Sequence, residues 1–150
     1  MQELYGDVLQ VPVLLQLDPQ DAAIRVDRMS CLDEFASTIA TWFTGSIEAI
    51  AADPWLACRD ELTSSGRDRL FWRSSQATAV RTRHWMLRQP RVGPSELYVK
   101  PDDRYEVSDV ADRLPAVTES LRELVTAWEA DPTETSSAFT SPLPPPPGAA

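Results

Sequence analysis

Hydrophobic residues recur at three- and four-residue intervals between residues 31 and 50, and this spacing predicts an amphipathic helix. Ser30, with an acidic residue three positions later, is typical of the N-terminus of such a helix. Pro54 follows and is placed to open a second helix, which Gly66 closes as a C-terminal cap. The pattern therefore predicts two consecutive helices within residues 31–65.

A second apolar stripe predicts a helix near residues 109–130. The stripe consists of Leu114, Val117, Leu121, Leu124 and Trp128. Ser108 is a suitable N-terminal cap for this helix. Because proline is tolerated in a first helical turn, the helix begins either after Ser108 or at Pro115 itself.

Residues 67–88 alternate with a period of two. Arg67, Arg69, Arg73, Arg81 and Arg83 occupy odd-numbered positions, whereas Leu70, Trp72, Val80 and Met86 occupy even-numbered ones, which is the pattern of a half-buried strand. We therefore predict strands at about 69–74 and 78–88, joined near Ser74-Ser75-Gln76. No glycine or proline interrupts residues 67–88, so a long helix is the alternative, and it would make the fold mainly α.

Four further short segments complete the predicted sheet. A proline-containing apolar segment at 8–17 and an alternating segment at 24–28 form one hairpin. Residues 97–99 and 105–107 form another, because Pro101-Asp102-Asp103 between them is a good turn sequence.

These elements predict an α+β fold. Its order is roughly β-β-α-α-β-β-β-β-α, with an antiparallel sheet covered on one side by the helices near 31–65 and 109–130. A chain of 150 residues is long enough for one domain with its own core, and we place that domain at 1–131. Residues 132–150 are rich in proline, serine and threonine, a composition that predicts a disordered tail.

Charge is unevenly distributed along the chain. Residues 69–95 contain six arginines and no acidic residue, inside a chain whose formal net charge is -9. Removing those six charges leaves -15 for the remainder. Such segregation presents a local basic surface to an acidic partner while the rest of the molecule repels nucleic acid and membranes.

The remaining composition excludes several chemistries. The chain has one histidine and two cysteines, without the spacing of a zinc site, and its five glycines are too dispersed for a phosphate-binding loop. We therefore predict no metal, no cofactor and no catalytic residues. The sequence also has neither the pattern of a signal peptide nor a long apolar stretch, and with only two cysteines it predicts a cytoplasmic protein.

The candidate binding residues are Arg81, Arg83, Trp85, Arg73 and His84. Alternation places Arg81, Arg83 and Trp85 on one side of the predicted strand, where guanidinium groups beside an indole suit the recognition of carboxylates or phosphates. The absence of catalytic motifs favours a small acidic protein that binds another protein, such as a chaperone, adaptor, immunity or regulatory factor.

Three alternatives remain open for the same residues. The arginines pair structurally with acidic residues on neighbouring strands. Arg81 and Arg83 clamp an anionic small molecule, and His84 acts as an acid or base in an enzyme. Nucleic-acid binding is disfavoured, because a sequence pI near 4.5 imposes long-range repulsion.

Overall fold

A computed structural model describes residues 4–5, 29, 32–45, 68–100 and 102–132 of this protein. The predicted hairpin at 8–28, the predicted helix after Pro54 and the tail beyond residue 132 lie outside the described residues. The elements are helix α1 (Leu32–Thr44), strands β1 (Arg69–Arg73), β2 (Ala77–Thr82), β3 (Trp85–Pro90) and β4 (Glu96–Val99), and helix α2 (Pro115–Ala130).

The chain divides into two compact units, each of which is treated by itself. The described residues of one unit are 29, 32–45 and 68–70, and they include α1. This helix confirms the one predicted after Ser30 as far as Thr44, whose hydroxyl donates a 2.7 Å hydrogen bond to the carbonyl of Ala40. Phe43 is 85% exposed, although it belongs to the predicted apolar stripe.

The other unit contains most of an antiparallel four-stranded sheet with the strand order β1-β2-β3-β4. The α+β class is therefore confirmed, and the mainly α alternative for residues 67–88 is wrong. The predicted single strand at 78–88 is also wrong, because the chain reverses at Arg83–His84 and forms β2 and β3 instead.

Side-chain hydroxyls stabilise both of the tight turns next to β2. Ser74 Oγ accepts hydrogen bonds from the backbone N–H groups of Gln76 (3.2 Å) and Ala77 (3.1 Å), at the joint predicted from the sequence. Thr82 Oγ1 accepts the N–H of Trp85 at 3.1 Å across the second turn. Ser and Thr favour such turns because their hydroxyls bond to nearby backbone groups.

Helix α2 covers one face of the sheet and forms the main core with it. This core contains Val80, Trp85, Leu87, Leu97, Val117, Leu121, Leu124 and Val125. The helix begins at Pro115, the second of the two predicted starts. Proline suits this first position because its fixed φ is helical and its missing N–H would have no partner within the helix.

The predicted strand at 105–107 is wrong, and another segment lies beside β4. The N–H of Val110 donates to the carbonyl of Leu97 at 2.8 Å, and Asp109 Oδ1 accepts the N–H of Leu97 at 2.9 Å. An aspartate side chain thus takes the place of a strand partner and satisfies the edge of β4.

The second face of the sheet is also apolar. Ala77, Ala79, Met86 and Tyr98 are buried there together with Leu4, and Tyr5 and Trp72 pack against them. The sheet is therefore buried on both faces, by α2 on one and by residues 4–5 on part of the other.

We predict that Leu121→Ala lowers the free energy of unfolding by roughly 2 to 5 kcal/mol, because Leu121 is fully buried between α2 and the sheet. Urea denaturation followed by tryptophan fluorescence measures the change. The exposed Glu123 on the same helix provides a matched control, and Glu123→Ala should change stability by less than about 0.5 kcal/mol. Equal effects of the two substitutions would contradict this packing of α2.

Candidate functional site

The predicted face of Arg81, Arg83 and Trp85 does not form, because Arg81 and Trp85 lie on opposite faces of the sheet. Arg81 pairs with Met86, which belongs to the second face, whereas Trp85 pairs with Val99 and is buried beneath α2. Positions paired between β2 and β3 have numbers of opposite parity. The reversal therefore exchanges the side on which odd-numbered residues lie.

Arg73 is the last residue of β1. It lies next to the turn that leads into β2, whereas the Arg83–His84 turn follows the other end of β2. Its guanidinium carbon is 4.8 Å from the ring centroid of Trp128, and its Nε is 3.7 Å from a carboxylate oxygen of Glu129. Phe71 stacks on the same indole at 5.0 Å, and Thr78 donates a 2.6 Å hydrogen bond to Glu129. These contacts join β1, β2 and the end of α2, so they support a structural role for Arg73.

Arg83 and His84 form the turn between β2 and β3, and a second loop adjoins this turn. The carbonyl of His84 accepts the N–H of Lys100 at 2.8 Å, and the loop 102–107 follows Lys100 directly in the chain. We call the surface made by residues 83–84 and 102–107 the hairpin end.

A buried ion pair holds the loop of the hairpin end in place. The side chains of Lys100 and Glu106 are each 1% exposed and are in direct contact. Lys100 Nζ also donates to the carbonyls of Asp103 at 2.5 Å and Arg104 at 3.2 Å. Glu106 has a φ of 51°, which is uncommon for a residue other than glycine. The loop therefore folds around the only lysine of the chain.

Next to this ion pair, the carboxylate of Asp103 accepts hydrogen bonds from the backbone. The two carboxylate oxygens of Asp103 accept the N–H groups of Val107 at 3.0 Å and Ser108 at 2.9 Å. Partial burial raises the pKa of Asp103, but these two hydrogen bonds and the charge of Lys100 outweigh it, so the pKa lies below its usual value.

Arginine and apolar side chains of the hairpin end face the solvent. Arg83 and Arg104 are exposed, and the Arg104 guanidinium lies 5.8 Å from the ring centroid of Tyr105. Tyr105 is 72% exposed and Val107 is 79% exposed. The surface thus combines two cations with two unburied apolar side chains on a loop that its own backbone contacts stabilise.

A second polar cluster, which was not predicted from the sequence, lies on the face of the sheet opposite α2. Glu96 is its centre, and its carboxylate accepts hydrogen bonds from Arg88 at 3.1 Å, from the Tyr98 hydroxyl at 3.0 Å and from the Tyr5 hydroxyl at 3.2 Å. Arg88 also lies over the ring of Tyr5, 4.7 Å from its centroid. Tyr5, Arg88, Glu96 and Tyr98 are called the Glu96 cluster below.

The environment of Tyr98 keeps its hydroxyl group protonated. Burial, followed by the negative charge of Glu96, raises the pKa of Tyr98 far above its ordinary value. Tyr98 therefore remains a hydrogen-bond donor throughout the physiological range. Only the pairing of Arg88 with Glu96 across neighbouring strands could have been anticipated, as one case of the structural pairing considered for the arginines. The contacts of Tyr5 with the cluster could not be predicted, because Tyr5 is 91 residues away from Glu96 in the sequence.

Among the described residues, no three His, Cys, Asp or Glu side chains are grouped so as to hold a metal ion. The described helices include none that is long and apolar enough to cross a membrane. No family model matches the chain, and no curated protein matches its sequence.

We predict that Lys100→Met lowers the free energy of unfolding by about 3 to 5 kcal/mol, because it leaves the Glu106 carboxylate buried without its cation. Chemical denaturation measures this loss. In the double variant Lys100→Met/Glu106→Leu no charge is stranded, and part of the stability should return. A loss below about 1 kcal/mol in the single variant, typical of exposed pairs, would contradict the burial of this ion pair.

We predict that Asp103 stabilises the fold above about pH 4, its ordinary pKa range, and that this contribution is lost as pH falls through its lowered native pKa. The sign follows because the unfolded chain binds the proton more readily than the folded one. Urea midpoints of the wild type and Asp103→Asn, measured from pH 7 to pH 2, should converge at low pH. A constant difference over this range would exclude the proposed contribution.

Proposed function

We propose that this protein binds another protein through its hairpin end, and that the contact surface of the partner is acidic. The residues that contact the partner are Arg83, Arg104, Tyr105 and Val107, with His84 beside them. This proposal retains the interaction function inferred from the sequence, but it changes the residues: Trp85 is buried and Arg73 is engaged with α2.

One observation carries the proposal: at the hairpin end, the side chains of Asp103 and Glu106 are occupied within the protein, whereas two arginines and one carboxylate, that of Asp102, are exposed. Glu106 is buried against Lys100, Asp103 accepts two backbone N–H groups, and Asp109 accepts the N–H groups of Leu97 and Ala111. Arg83 and Arg104 are exposed. The two exposed arginines outnumber the one exposed carboxylate of this surface, that of Asp102, and therefore favour an acidic contact surface on the partner although the whole chain is negative.

The packing of the loop supports binding by a preformed surface. Lys100 bonds to two carbonyls and one carboxylate of the loop, so little backbone ordering remains to oppose association. Tyr105 provides a rigid aromatic side chain, and aromatic residues and arginine are the usual energetic centres of protein interfaces. Exposed Tyr105 and Val107 supply the apolar contact, and the arginines supply orientation.

The rival hypothesis is a site for a small anion, or an enzyme, with Arg81 and Arg83 as a clamp and His84 as an acid or base. Such a site requires these side chains to converge. Arg81 extends from one face of β2, whereas Arg83 and His84 are in the turn. The protein-binding proposal requires only the exposed groups, and for this reason we prefer it.

We predict that Arg83→Ala/Arg104→Ala weakens partner binding by about tenfold or more, the loss expected when interface hot spots are truncated. The full-length protein, with p-benzoylphenylalanine in place of Tyr105, is first crosslinked in a lysate of its source to identify the partner. Isothermal titration with the purified partner then measures affinity. Added salt should weaken binding by screening the arginines.

Arg91→Ala provides the matched control. Arg91 is an exposed arginine at the opposite end of the sheet, where its N–H bonds to Gln76, so its loss should leave affinity unchanged. If crosslinking at position 105 yields no defined partner, or if Arg91→Ala weakens binding as much as the double variant, the proposal fails. Tight binding of a small carboxylate or phosphate that Arg81→Ala abolishes would favour the rival hypothesis.

A further inference from the structure

The Glu96 cluster and the apolar residues around it form a binding surface for a short segment of chain, and we call this surface the seat. Leu4 is 6% exposed and is buried with Ala79, Met86 and Tyr98. The adjacent Tyr5 bonds to Glu96 through its hydroxyl. Two consecutive residues are therefore bound in two ways, one by apolar packing and one by a charged acceptor.

The contacts of Tyr5 are specific for a phenol. Its hydroxyl meets a carboxylate, Arg88 lies over its ring, and the ring of Tyr98 meets it edge to face with centroids 6.5 Å apart. A phenylalanine would keep the two ring contacts and lose the hydrogen bond. A site that binds a hydroxyl through a half-buried carboxylate discriminates against the analogue that lacks it.

All of these contacts are made by side chains, so none depends on the covalent continuity between residues 4–5 and the sheet. Ala77, the first of the sheet residues buried with Leu4, lies 72 residues after Tyr5 in the chain. Arg88 Nε is buried and has no hydrogen-bond partner among the described residues. Residues 4–5 thus leave this donor unused, and a bound segment with an acceptor at this point would make one more hydrogen bond than they do.

We propose that this face of the sheet is a binding site for an extended segment in which tyrosine follows a leucine or similar apolar residue, and that Leu4–Tyr5 is a self-ligand occupying it. A partner protein with such a segment binds by displacing residues 4–5. The site is separate from the hairpin end, and the proposal does not depend on the function assigned there.

The test uses the full-length chain with Leu4→Ala/Tyr5→Ala, which empties the seat, and a synthetic peptide of residues 1–8 as the probe. Titration calorimetry should detect binding of the peptide to this variant and at least about tenfold weaker binding to the wild type, whose own segment competes at high effective concentration. Lack of binding to the emptied variant at millimolar peptide would overturn the proposal.

Two substitutions test the chemistry of recognition. A peptide with Tyr5→Phe should bind the emptied variant about tenfold more weakly, the usual effect of losing a hydrogen bond to a charged group. Adding Glu96→Gln to the protein should weaken the tyrosine peptide and leave the phenylalanine peptide almost unaffected. Equal affinities of the two peptides would show that the carboxylate does not select a phenol, and would refute the assigned ligand class.

A control and a second measurement keep the test decisive. Arg83→Ala/Arg104→Ala, combined with the emptied seat, should leave peptide affinity unchanged, which separates this site from the hairpin end. If the emptied variant does not fold, the full-length Tyr5→Phe chain takes its place. Added peptide should then shift the methyl resonances of Ala79 and Met86, and unshifted resonances at millimolar peptide would contradict the proposal.

Discussion

The pairing of β2 with β3 in a single register determines which chemical groups reach each surface of this protein. The two-residue turn at Arg83–His84 fixes this register, with Val80 opposite Leu87 and Arg81 opposite Met86. A shift of this register by one residue would move every side chain of the strand to the opposite face of the sheet. Because both faces of the sheet are apolar, burial on both sides defines the register. The same register places the Arg83–His84 turn at the end of the sheet.

Two carboxylates show how the fold accommodates charge inside this framework. Glu106 is matched with Lys100, whose remaining donors are taken by loop carbonyls. Glu96 is matched with Arg88 and two tyrosine hydroxyls. In each case the charge has several partners, which the buried Glu106 requires and which also stabilise the half-buried Glu96, and each set of partners fixes a segment that has no regular secondary structure. The first fixes a loop, and the second fixes residues 4–5.

The arginines that are clustered in the sequence between residues 73 and 91 do not form a cluster in the folded protein. Arg73 stacks on Trp128, Arg88 binds Glu96, and Arg83 and Arg91 are exposed at opposite ends of the sheet. Charge segregation along the chain therefore does not produce one basic face. Basic character at the hairpin end comes equally from Arg104, outside that segment, and from the burial of Glu106 against Lys100.

Local patterns in the sequence were enough to predict the type of the main elements. Spacing of apolar residues identified α1 and α2, alternation identified strands between residues 69 and 88, and Ser74 marked their first joint. These signals are local, since periodicity and turn chemistry act over a few residues. The α+β class follows from them without any knowledge of contacts.

Which side chains meet depends on the complete fold. The reversal at Arg83–His84 carries no glycine or proline, so alternation alone predicted one strand and placed Trp85 beside Arg81. The loop after β4 resembles a hairpin turn in sequence, but Lys100 bonds to its carbonyls and prevents a return strand. Tyr5 reaches Glu96 across 91 residues of chain. Such contacts are non-local, and a buried charge or a strand register is satisfied only by partners that the complete fold brings together.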